Sequence, residues 1–163
     1  MSAARRLLIL GGIALALLGM GYGMWYAIFA EHQELDGIGG ALATSFGAAA
    51  QRNAAGAESA MQQYRELKYS YDRHVDVHGH WIGLATLLIL VGIASDRMAL
   101  GEKAKLLLAV GLLLGSVLFP FGVLLQTLSH GAGPRGLAAG GATLVIVSLA
   151  GMTMGFARAQ KEN

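Results

Sequence analysis

The sequence predicts an all-α integral membrane protein: a four-helix bundle in the bilayer, with an extended outward (periplasmic-side) helical segment between its first and second spans. Three observations predict this fold. Hydrophobic residues make up 55% of the 163-residue chain and charged residues only 13%, about half the charged share of a soluble domain. The apolar residues collect in four runs, each able to supply the roughly 20 helical residues that cross a ~30 Å hydrocarbon core. The alternation that builds a membrane barrel is missing, which leaves helices as the structures that satisfy the backbone inside lipid. The length suits one domain, a single membrane domain over residues 1–163.

The first span covers about 7–30 and follows Arg5 and Arg6. Its basic start, and Ala30 before Glu31, would also suit a cleaved secretory signal. A run of 24 apolar-rich residues exceeds the about 7–15 of a signal's central region, which favours a retained anchor. The outward segment, 31–74, passes glycines at 37, 39 and 40 and then reads as helix from Ala41 to Arg73, rich in Ala, Gln, Glu and Lys and free of proline. Tyr64, Leu67 and Tyr71 recur there at helical spacing. This helix is expected to project from the membrane or fold across its surface, and to be able to run unbroken into the second span. That span, 75–95, is apolar from Trp81 to Ala94 and reaches crossing length only if it begins near Val75. The third span covers 104–128, with a kink expected at Pro120. The fourth covers 137–157, after a short turn over 129–135.

Basic residues set the orientation. Arg5, Arg6, Arg97, Lys103, Lys105, Arg158 and Lys161 fall on one side, and Arg52, Arg65, Lys68, Arg73 and Arg135 on the other. Seven against five predicts a bacterial inner-membrane protein with both termini cytoplasmic. Glycine pairs four apart occur in every span, at Gly19/Gly23, Gly79/Gly83, Gly111/Gly115 and Gly151/Gly155. Such pairs let helix backbones approach closely. They point to partners beyond the lipid bilayer itself: other membrane subunits, or a homo-oligomer formed through glycine-rich helix faces.

Much chemistry is excluded. There is no cysteine, hence no disulfide, thiolate metal site, c-type haem attachment or cysteine nucleophile. The net charge of +2 is small and scattered, so nucleic acid is not an expected partner. No phosphate loop, serine nucleophile or zinc-protease motif is present. The spans hold no Lys, Asp or Glu near mid-depth, which argues against an ion channel or proton-coupled transporter built from this chain alone.

The five histidines are the remaining signal. In the run from Tyr71 to Trp81, His74 and His78 are four apart and stack on one helix face, the spacing that sets two imidazoles on one metal ion. Asp76 and His80 share roughly the opposite face, as a second half-site or as groups orienting the first. His32 follows the first span, and His130 ends the third, so all five fall near the outer interface. Imidazole is the commonest ligand for such metals. His74, His78, His130, His32, Asp76 and His80 are therefore the candidate metal residues, for a copper or zinc ion or a b-type haem. Over the eight residues 74–81 the pattern resembles the ligand helices of haem–copper oxidases; no other part of such a pattern is present and no residue role follows from it. The bland reading is that interfacial histidines, with Trp25 and the tyrosines at 22, 26, 64, 69 and 71, form an aromatic belt at headgroup depth. Glu31, Glu34 and Asp36 read as a solvated entry to the loop, and Met20, Met24, Met152 and Met154 as packing. Two functions follow. One is metal or haem binding in electron transfer or metal handling. The other is a small non-catalytic accessory subunit packed against a larger membrane complex. Neither reading specifies a reaction.

Overall fold

The computed structural model describes residues 1–160. Lys161, counted among the basic residues above, lies outside them. The chain forms α1 (Ala3–Phe29), α2 (Glu31–Ala50), α3 (Ala54–Ala94), a single 3-10 turn (Ser95–Arg97), α4 (Glu102–Leu125) and α5 (Ala132–Ala159), with no strand among the described residues. Four of these, α1, α3 with its 3-10 extension, α4 and α5, are long and apolar enough to cross a membrane.

The four long helices share one core. Leu8, Leu88, Leu112 and Met152, one from each, are at most 1% exposed. α1 packs on α3 and α4, α3 on α4, and α4 on α5. The outside is apolar as well: Leu17, Leu107 and Ile146 are each at least 66% exposed. That inversion of the soluble pattern fits an integral membrane protein, where lipid, not water, surrounds the helices. Of the methionines singled out above, Met152 is in the core, and Met20, Met24 and Met154 point outward.

Small residues make the packing close. A Cβ on Gly115 would stand 2.7 Å from Gly141 O, and one on Gly122 would stand 2.7 Å from Ala138 Cα. The α4 and α5 backbones therefore touch through glycine. Gly12 and Gly19 of α1 serve the same purpose against Ala85, Trp81 and Ile82 of α3. At one end of the molecule Arg5 pairs with Asp96 at 2.6 Å, and Ala99 N–H bonds Gly155 O at 3.1 Å. The start of α1, the 95–101 turn and the end of α5 thus meet there.

The segment 31–74 departs from its expected form. It is two helices, not one. α2 begins at Glu31, directly after the one-residue break at Ala30, and runs straight through the glycines at 37, 39 and 40. The chain then reverses at 51–53, where Arg52 takes a left-handed φ of 56° and the Asn53 side chain caps α3 by accepting from Gly56 N–H at 2.9 Å. α2 folds back on the first half of α3, with Ala41 and Ala60 buried, Gly37 against Leu67 and Ser45 Oγ donating to Ala57 O at 3.2 Å. α3 continues without a break from there to Ala94. Its 41 residues extend about 60 Å, roughly twice a hydrocarbon core. α4 ends three residues earlier than the third span and holds Pro120 in its interior, while α5 begins at Ala132, five residues before the fourth span.

Candidate functional site at the α1–α2 corner

Past the break at Ala30, α2 continues along α3, so that its first turn and the last two turns of α1 both face the middle of α3. Tyr22 and Tyr26 lie four apart on α1, and Ser70, His74 and His78 lie four apart on α3, so each set presents one face. Between them sits Glu34, near the start of α2, where the positive end of the helix dipole favours a carboxylate. Tyr26 Oη donates to Glu34 Oε2 at 2.7 Å and Ser70 Oγ donates to Glu34 Oε1 at 3.1 Å. His74 Nε2 lies 3.7 Å from Glu34 Oε1, and the Tyr22 hydroxyl hydrogen-bonds His74 Nδ1. The His74 and Tyr26 rings stack at 4.9 Å, and Tyr22 meets Trp81 edge-on at 5.3 Å. The side chains of His74 and Glu34 are only 14% and 18% exposed. A carboxylate shielded to that extent is tolerable because two hydroxyls and an imidazole surround it.

His78, one turn further along α3, also meets α1. Its Nδ1 bonds Gly19 O at 2.9 Å, and since a carbonyl only accepts, Nδ1 carries the proton. That leaves Nε2 with its lone pair and no partner among the described residues. Gly23 makes room for this ring: a Cβ there would stand 2.5 Å from His78 Cε1.

The other candidate residues lie elsewhere. His80 Nδ1 bonds Asp76 O at 2.5 Å and its ring sits edge-on to Phe119 of α4 at 4.7 Å. The Asp76 carboxylate pairs with Arg73 at 3.1 Å. His130 packs on Tyr69 at 4.9 Å, with Nε2 4.0 Å from Glu66 Oε2. His32 points into the open with Asp36 at 3.3 Å, its side chain 85% exposed. Each histidine thus has its own partners, and among the described residues no group of three or more His, Asp or Glu side chains is arranged to hold a metal ion.

Sequence reasoning missed the roles of Glu34, Tyr22, Tyr26 and Ser70. Glu34 is not a solvated entry residue, because it faces α3 and the end of α1, where Ser70 and Tyr26 bond it. The four-residue spacings of Tyr22 with Tyr26, and of Ser70 with His74, were the available signal. No protein-family model matches the chain, and neither a curated protein nor a solved structure matches it.

Proposed function

We propose that this chain is a small non-catalytic accessory subunit that packs against a larger membrane complex, and that His74 and His78 tie its own α1 and α3 together. In this reading the four long helices form an up-down bundle in a bacterial inner membrane, with both termini cytoplasmic. α2 and the first half of α3 then stand outward as a helical hairpin. The basic residues Arg5, Arg6, Arg97, Lys103, Lys105 and Arg158 all belong to the end where α1 starts and α5 finishes, which supports that orientation.

The observation that carries the proposal concerns the glycine pairs. Gly19/Gly23, Gly111/Gly115 and Gly151/Gly155 are all covered by side chains or backbone of this chain, whereas a Cβ at Gly79 or Gly83 would meet nothing within 4 Å. On α3, Gly79, Gly83, Thr86 and Leu90 form one exposed stripe, and Gly136, Gly140, Thr143 and Val147 repeat that spacing on α5. A helix face that flat gains little from lipid chains and much from a second helix laid against it. The absence of cysteine makes the test clean. A benzophenone probe on a single Gly83→Cys, irradiated in native membranes, is expected to give one discrete protein adduct. The same probe at Leu107→Cys, 73% exposed on α4, is expected to give none. Loss of that contrast would sink the assignment, as would an adduct at twice the 17.0 kDa chain mass, which would make the partner a second copy.

One observation favours the metal or haem reading as a second. His78 is held by its Nδ1 with Nε2 free, the arrangement that orients an imidazole as a ligand. A copper or zinc ion, or a b-type haem, serving electron transfer or metal handling would need further ligands drawn to it from His74, Glu34 or another chain. In that case replacing His74 and His78 together by alanine would abolish bound metal.

A further inference from the structure

Beside the Tyr–His–Glu cluster lies a half-open cavity of about 310 Å³ between the end of α1, the first turn of α2 and α3. Gly23, Tyr26, Glu31, Tyr71, Val75 and His78 line it. Three of these bring polar groups that have no hydrogen-bond or ion-pair partner among the described residues: the Glu31 carboxylate, the Tyr71 hydroxyl and His78 Nε2. Two of the three can only accept hydrogen bonds, and one of those is an anion. The lining therefore asks for a donor with positive charge. It also offers aromatic walls, since the Tyr26 and Tyr71 rings stand 6.5 Å apart at 49°, and tyrosine faces attract cations.

Depth narrows the class. The cavity lies within the last two turns of α1, beside Tyr22 and the half-exposed Trp25, residues of the kind that settle at lipid headgroup level. We infer that this cavity binds the headgroup of an ethanolamine phospholipid. The primary ammonium donates to Glu31 and His78 Nε2 beside the rings of Tyr26 and Tyr71. A choline headgroup has the charge but no N–H to give, so it leaves His78 Nε2 without a partner. A glycerol headgroup lacks the charge.

The inference stands apart from the glycine-face proposal and is tested separately. The full chain, in mild detergent, is titrated with ethanolamine, choline and glycerol phospholipids of identical acyl chains, and adducts are read by native mass spectrometry. Ethanolamine lipid is expected to be retained at least roughly five-fold over glycerol lipid, with choline lipid between them. Glu31→Gln is expected to erase most of that preference and leave glycerol-lipid adducts unchanged. Tyr71→Phe, a milder change, is expected to weaken it partially, and circular dichroism checks that both variants keep their helices. Equal retention of the three lipids, or a Glu31→Gln variant with its preference intact, would overturn the inference. So would displacement of ethanolamine lipid by a short-chain quinol at lower concentration, which would make the cavity a site for neutral hydroxyl donors.

Discussion

Gly141→Leu is expected to separate α4 from α5 and to cost about 3 kcal/mol or more, enough to deplete the folded protein. The reason is the absence of space. A Cβ on Gly141 would stand 2.7 Å from Phe119 Cα and 2.9 Å from the Leu118 carbonyl carbon, backbone atoms that no side-chain rotation can move. The same crossing depends on Gly115 and Gly122 from the α4 side, so the helices cannot slide to relieve the clash. The neighbouring residue supplies the control. Gly140 has nothing within 4 Å of its would-be Cβ, so Gly140→Leu makes the same chemical change on the outer surface of α5. It is expected to shift stability by less than about 0.5 kcal/mol. Denaturation of both variants in mixed detergent measures the difference. Equal stability of the two would mean that α4 and α5 do not cross at these residues.

Glu34→Ala is expected to have the second largest effect, a loss of about 2 kcal/mol. The substitution takes the acceptor away from the Tyr26 hydroxyl and the Ser70 hydroxyl together, and it removes the carboxylate beside His74. Partly buried donors left without partners cost more than the bond itself contributes. Glu34→Gln keeps one carbonyl oxygen and is expected to lose about half as much. These bonds help hold the start of α2 to α1 and α3, so the alanine variant should also become sensitive to protease near Ala30 before the long helices unfold. A double-mutant cycle with Tyr26→Phe is expected to give a coupling of about 1 kcal/mol. Strict additivity of the two changes would show that the Tyr26–Glu34 bond does not form.

These two sites differ in how far the sequence revealed them. The four long helices were legible because length and hydropathy alone decide whether a helix can cross a membrane, and α1, α3, α4 and α5 satisfy both. Close approach through glycine was legible as a possibility, but not which faces were used. Gly111/Gly115 and Gly79/Gly83 look alike as spacings, yet the first pair is covered by Ser148, Gly141 and Val145 and the second is bare. Only three-dimensional packing separates them. The hairpin of α2 on α3 was missed because Ala-rich helices carry the same propensities whether continuous or broken. The local signal was Asn53, a good helix cap, set against an Arg52 that gives no hint of a left-handed turn. The candidate site was half legible. His74 and His78 at four-residue spacing both meet α1, but the spacing says nothing about what stands opposite. Opposite them stand Tyr22, Glu34 and a backbone carbonyl, contacts set by the register in which α1 and α2 lie along α3, which no local spacing reveals.

In the proposed reading His74 and His78 hold α3 to α1, and the function lies in a face offered to a partner. The most direct test is the metal content and absorbance spectrum of the protein purified in mild detergent without a histidine tag. The expected result is a colourless protein with no stoichiometric copper, zinc or iron, unchanged when His74 and His78 are replaced together by alanine. A stoichiometric metal or a Soret band, lost in that double variant, would contradict the claim and make the α1–α2 corner a ligand site.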